Sequence, residues 1–373
     1  MRLGGGQSRS GCRGTPVRYA AHMRSFVLFV AAVILGIAPA AARDRGTVVG
    51  YVAAFKGLDR EMQQPAIGEY TQLDLAFVNP TASADVIAPG GLACAPAVEG
   101  RSDVMVSDAQ LRALVAQAHR SGAKVVASLG GAVIPPCGGE WSQLLQPQTR
   151  SRLVANLIGL VDRYGLDGLD IDIEGELMTR IDAAGNYTPF VRELATALHA
   201  RSKILTAATG SYPGGMVPDA SLPYLDLIGI MSYDQVGPTW GTPGGEHSTY
   251  AQALGDLTLW IRKGVPANRL ALGVPFYGRG FGGYREGWSL QDIASQFGDA
   301  QLSSDMVGKA CGGCSYITYN GLPTLDRKAE LAGAWGAGVM VWEVGQDVDD
   351  GRAIRHLVRA YQRGRSYAHR RGH

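Results

Sequence analysis

The chain has 373 residues, 46% of them hydrophobic and 18% charged, with a formal net charge of +2 at pH 7. A balance so close to neutral offers no basic field for phosphates, so no nucleic-acid partner is expected. The length is long for one ordinary domain and normal for a barrel enzyme.

The first readable element is residues 23–42, MRSFVLFVAAVILGIAPAAA. Arg24, the apolar run Phe26 to Ile37, and the small residues Ala40 and Ala42 fit a secretory signal cut after Ala42. The alternative is a membrane anchor, but the run falls short of the roughly 20 residues a span needs. Met23 is the expected start, because residues 1–22 have no structural logic. Loss of residues 1–42 removes five arginines and no acid, which moves the balance from +2 to about −3. A secreted or periplasmic protein, free of the membrane after cleavage, is the expectation.

Eight short apolar, β-branched runs follow: TVVGYVAAF (47–55), LDLAFVNP (73–80), KVVASLGG (124–131), LDGLDIDIE (166–174), ILTAATG (204–210), LDLIGIMSYD (225–234), RLALGVPFYG (269–278) and GVMVWEVGQD (338–347). Between several of them lie stretches with helical spacing, such as DAQLRALVAQAHRSG and SRLVANLIGLVDRYG, each ending in a glycine suited to a C-cap. Strands alternating with helices predict parallel strands joined by right-handed crossovers. An open doubly wound sheet is the alternative. Eight repeats without a nucleotide fingerprint after the first strand favour a (β/α)8 TIM barrel, a single catalytic domain over 43–361. Gly278, Gly280 and Gly283 match G-x-G-x-x-G, yet no helix opens at once after them and no acid stands at the expected offset. The longest connection, 279–337, is expected to form a small excursion over one face. The basic end, 362–373, reads as a disordered, solvated tail.

Four cysteines remain after the leader: Cys94, Cys137, Cys311 and Cys314. An exported chain with an even count suggests two disulfides, with Cys94–Cys137 and Cys311–Cys314 favoured among three possible pairings. A redox role for CGGC lacks a βαβ context, and a zinc site lacks further ligands nearby.

The densest chemistry is GLDGLDIDIE, residues 165–174. In a strand, Asp170, Asp172 and Glu174 share one face, with Leu169, Ile171 and Ile173 on the other. In a barrel the isoleucines pack on helices and the acids point into the lumen, toward the C-terminal face where such barrels do their chemistry. Three carboxylates about 7 Å apart cannot all ionise comfortably, so at least one should hold a proton. Glu174, outermost, is the natural proton donor, with Asp170 and Asp172 sharing charge and a proton behind it. Asp167 is assigned to structure near the strand start. A calcium loop of the EF type wants a turn with glycine rather than alternating isoleucines.

DGLDIDIE resembles the D-G-x-D-x-D-x-E signature of family 18 glycoside hydrolases, the chitinase family. SLGG (128–131), MSYD (231–234), GVPFYGR (273–279) and GVMVWE (338–343) match further family motifs in order. The resemblance implies retaining hydrolysis without a protein nucleophile. Glu174 would protonate the glycosidic oxygen, and the substrate's own N-acetyl oxygen would attack to give an oxazolinium ion. Asp172, backed by Asp170, would hold the acetamide N–H, and Tyr233 would donate to its oxygen. Asp234 would seat the distorted sugar and Trp342 would be its floor. Tyr277, Arg279, Tyr51 and Gly130 complete the binding candidates; packing or an ion pair is the alternative for each. Tyr51 and Phe77 are core or cleft wall, and Ser128 packs at the acid row. The family implies no metal and no cofactor. A monomer acting on N-acetylglucosamine oligomers or chitin is expected.

The sequence departs from many members in carrying Ala132 after SLGG and Phe55 where tryptophans often stand, which weakens the case for attack on crystalline chitin. The connection after the seventh strand looks short for the full α+β insertion of some members. Trp141, Trp240 and Trp288 are left as outer-subsite candidates. The competing readings are an endo-β-N-acetylglucosaminidase acting on N-glycans, a peptidoglycan hydrolase, and a chitin-binding lectin. The presence of Glu174 argues against the lectin.

Overall fold

The computed structural model describes residues 44–94 and 106–371, with Gly14 besides. The export segment therefore lies outside the described residues, and from Arg45 onward the described chain forms one unit.

Each of the eight apolar runs contains a barrel strand, numbered here β1 (Val48–Ala53), β2 (Gln72–Val78), β3 (Lys124–Gly130), β4 (Gly168–Asp172), β5 (Ile204–Thr209), β6 (Leu227–Ile230), β7 (Leu270–Pro275) and β8 (Gly338–Trp342). They close in the order β1-β8-β7-β6-β5-β4-β3-β2, and every pairing is parallel. Parallel neighbours need crossovers, and the amphipathic stretches supply them as helices Asp108–Arg120, Pro147–Tyr164 and Tyr187–His199. Local chemistry sets their ends. Ser107 and Gln110 form a capping box, and Gly165 takes the left-handed conformation (φ 69°) that closes Pro147–Tyr164.

Strand alternation sorts the side chains as expected. Leu169 and Ile171 join the main core between sheet and helices, while a smaller cluster including Val49, Tyr51, Ala76 and Met340 belongs to the lumen side.

Two regions differ from the sequence reading. The connection after β7 holds more structure than a small excursion. Strands Tyr277–Phe281, Gly287–Ser289, Met306–Gly308 and Tyr316–Thr318 form a four-stranded antiparallel sheet, with helix Leu290–Phe297 capped by Ser289. Short, glycine-broken strands with little alternation hid it. Gly278 and Gly280 lie in its first strand, not in a phosphate loop. Residues 362–371 of the expected disordered tail are instead the end of helix Arg352–Arg371. Tyr361 is buried there and Gly364 abuts the backbone of helix Leu322–Ala334, which makes the close approach possible. Both favoured disulfides, Cys94–Cys137 and Cys311–Cys314, are formed. Among the described residues no helix is long and apolar enough to cross a membrane.

Candidate active site

β4 ends at Asp172, and Glu174 stands just beyond it as the N-cap residue of helix Gly175–Ala183. Asp167 does serve structure: its Oδ2 accepts from Val125 N (2.8 Å) and lies 2.8 Å from His119 Nε2.

Asp170 is 1% exposed and sits at one level with Ser128 of β3 and Thr206 of β5, its register partners. Side chains at matched positions of adjacent parallel strands point to the same face, which explains the next contacts. Thr206 Oγ1 donates to Asp170 Oδ1 (2.6 Å), while Ser128 Oγ (2.7 Å) and Tyr51 OH (2.9 Å) donate to Oδ2. Burial raises this carboxyl, and the three hydroxyls pull it back down. Asp172, also buried, is pushed well above the usual range by burial and then by Glu174, Asp170 and Asp74. Its Oδ1 has no protein partner. Asp74 on β2 is a third buried acid of the cluster, raised by burial and by Asp170, and held by Gln72 Nε2 (2.8 Å). Asp170, with three hydroxyl donors on its carboxyl oxygens, is the most strongly hydrogen-bonded acid of the row. Glu174 is raised to about 7, first by burial and then by the charge of Asp234.

A cavity of about 1090 Å³ opens over the strand ends. It brings together Asp172, Glu174, Tyr233, Asp234, Tyr277, Arg279, Tyr51 and Trp342. Tyr233 and Asp234 lie past the end of β6, and Asp234 adopts φ 57°. Arg279 grips Asp234 through both carboxylate oxygens (2.9 and 2.8 Å) and reaches Glu286 (2.9 Å). These bonds and His247 hold the Asp234 carboxyl far below the usual range against its burial. Arg279 therefore has its acid partner and still borders the cavity. Trp342 stacks on Phe77 (5.7 Å, 21°), which in turn stacks on Phe55 (6.4 Å, 9°), so one wall is a continuous aromatic row.

Gly130 does not line the cavity. It is buried with φ +105°, and a Cβ there would come within 2.7 Å of the Asp172 carbonyl oxygen. Its role is to let β3 and the end of β4 touch, not to contact a sugar. Of the three tryptophans considered for outer subsites, Trp240 borders the cavity. Trp141 is 1% exposed and donates to Asn79 Oδ1 (2.9 Å), and Trp288 is buried in the insertion against Tyr284 and Phe297.

Sequence reasoning missed Asp74, Thr206 and His247. Asp74 and Thr206 emerge from strand register, which pairs Tyr51 with Asp74 and Asp170 with Thr206. His247 carried no local signal. It is fully buried, its Nδ1 is 3.5 Å from Asp234 Oδ1, and burial lowers its pKa against the pull of Asp234.

The family model described as glycosyl hydrolases family 18 matches residues 47–347. The chain belongs to glycosyl hydrolase family 18. The match runs from β1 past β8, so it takes in the acid row and the cavity. Among curated relatives, "Probable chitinase 10" of Drosophila melanogaster is 26% identical over 287 residues, 62% of this chain and 12% of that protein. Chitotriosidase-1 of Mus musculus is 32% identical over 157 residues, 35% of this chain and 34% of that one. The matches thus span about half or less of these curated relatives. The GH18 chitinase ChiB of Flavobacterium johnsoniae superposes with TM-score 0.69 at 29% identity, covering 85% of this chain and 94% of its own. A mutant class V chitinase from Nicotiana tobaccum in complex with NAG4 shares the fold, with TM-score 0.64 at 20% identity, covering 85% and 99%.

Proposed function

We propose that this family 18 protein is a retaining glycoside hydrolase that cleaves β-1,4 linkages of N-acetylglucosamine oligomers or chitin with the substrate's own acetamide as nucleophile. The observation that carries this is the graded acid row: a half-buried Glu174 raised to about 7 in front of a buried, partnerless Asp172 oxygen and a triply bonded Asp170. A carboxyl that titrates near neutrality is suited to give and then retake a proton. A second carboxylate nucleophile is not needed where the acetamide attacks the anomeric carbon.

In this reading the sugar rests on Trp342, and Glu174 protonates the bridging oxygen as the C–O bond breaks. The acetamide oxygen closes on the anomeric carbon, and the free Oδ1 of Asp172 takes up the acetamide N–H. Charge on the oxazolinium ion is balanced through Asp172 by Asp170. Tyr233 donates to the acetamide oxygen and Asp234 seats the distorted ring. Glu174, now a base, activates the water that opens the ring with overall retention. The chitinase named among the relatives at 29% identity and the NAG4 bound to the tobacco neighbour support this substrate class. The signal-like residues 23–42 and two disulfides support action outside the cytoplasm.

Mass spectrometry after incubation with chitohexaose, alongside a glycoprotein carrying N-glycans, tests the assignment. Short N-acetylglucosamine oligomers, absent with Glu174→Gln, support it. Released glycans move it to the endoglycosidase, and binding without cleavage moves it to a lectin.

A further inference from the structure

Tyr212 is an aromatic side chain that the reading above does not use. It is 58% exposed, and it borders the cavity that holds Glu174. Its position is built rather than incidental. A Cβ on Gly215 would lie 2.3 Å from Tyr212 Cζ and 2.6 Å from each Cε, and one on Gly210 would lie 2.7 Å from Cε1. Only glycine at both positions lets the ring lie against the backbone there.

The loop under the ring is tied down from several sides. Gly210 N donates to Gly215 O (2.9 Å), and Gly215 N donates to Tyr212 O (2.9 Å). Thr179 Oγ1, on the helix that follows Glu174, donates to Gly214 O (3.2 Å). Trp260 Nε1 donates to Ser211 Oγ (3.1 Å), and Val217 N to Thr209 Oγ1 (3.0 Å). A ring held in this way has lost its freedom before any ligand arrives, so stacking on it costs little further entropy.

Topology tells which part of a substrate it would meet. β4 and β8 stand opposite each other in the eight-stranded order, so Glu174 and Trp342 face each other across the mouth. Tyr212 follows β5, beside β4, on the acid's side. The charge of Glu174 reaches its hydroxyl group. If the sugar being cleaved rests on Trp342, the ring beyond Glu174 meets what departs. The rim after β3 offers no ring of its own: Ala132 and the 80% exposed Val133 stand there.

We propose that Tyr212 is the stacking platform for the first sugar on the leaving-group side, and that it sets the preference for an oligosaccharide over a small leaving group. This rests on the hydrolase reading above. Stacking that holds the departing sugar in line with Glu174 lowers KM and, where it tightens in the transition state, raises kcat.

The test compares two substrates with the same chitobiose on the side that is retained. One is chitotetraose, which releases chitobiose. The other is chitobiosyl β-fluoride, which releases fluoride and has no ring to stack. For Tyr212→Ala, the ratio of kcat/KM for chitotetraose to that for the fluoride should fall by about 10-fold, most of it in KM. Tyr212→Phe keeps the face and should keep the ratio within about twofold. Equal loss on both substrates, no change in the ratio, or a Phe variant that behaves like Ala would overturn the platform. If the unaltered protein hydrolyses neither substrate, the hydrolase reading falls and takes this inference with it. A fluoride substrate turned over normally while the ratio stays fixed removes the platform alone.

Discussion

The pH dependence of turnover is the sharpest consequence of the Glu174 environment. Burial, and then the charge of Asp234, raise this carboxyl from 4.5 to about 7. A general acid works only while protonated, so activity should be present below about pH 7 and lost above it. At pH 7 about half the molecules carry the proton, and at pH 9 about one in a hundred; an ordinary glutamate would keep it in about 0.3% at pH 7. kcat/KM for a soluble oligomer should therefore fall about tenfold for each pH unit above about 7. Asp234→Asn removes the like charge that raises Glu174, and it also frees Arg279 from its bidentate partner. Both changes favour the ionised glutamate, so the falling limb should move to lower pH. Initial rates from about pH 4 to about pH 9 locate this limb in the unaltered protein and in Asp234→Asn. A falling limb near 4.5 in the unaltered protein, or one that Asp234→Asn does not move, would refute the electrostatic account.

Three further changes probe the support beneath the site. Thr206→Val keeps shape but deletes the 2.6 Å donor to Asp170; it should cost about 1–3 kcal/mol in denaturant titration. Gly130→Ala forces a φ of +105° and a Cβ within 2.7 Å of the Asp172 carbonyl oxygen, so both stability, by about 1–3 kcal/mol, and kcat should drop, seen in melting and steady-state assays. Lys328 is fully buried against Ser248 and Asn320, and burial lowers it from 10.5 to about 7. Above about pH 7 the unfolded chain then binds a proton that the folded one does not, so stability should rise with pH up to about 10.5. Lys328→Met should flatten that rise, by on the order of 2 kcal/mol between about pH 7 and about pH 9 in urea titrations.

Much of this site was legible because β4 writes its two faces on alternate residues. Asp170 and Asp172 point to the lumen and Ile171 to the helices, as a period of two requires. What alternation does not give is which strands stand side by side at which height. Asp74 and Thr206 became visible only once register placed them beside Tyr51 and Asp170. Gly130 was counted among the binding candidates with packing as its alternative, and packing is its role: the space beside it is filled by the backbone of β4. The terminal helix was hidden by its arginines, since seven of them without an acid in 352–373 look like a solvated tail. Tyr361 and Gly364 on its inner face are what hold it to the barrel.

The central claim is that the acetamide of the substrate, not a protein carboxylate or a directly attacking water, first takes the anomeric carbon. The most direct measurement is proton NMR of the first product released from chitohexaose, read before the anomers interconvert. The account predicts the β-anomer first, with no product from the oligomer lacking its N-acetyl groups. An α-anomer first, or equal turnover of the deacetylated oligomer, would contradict it.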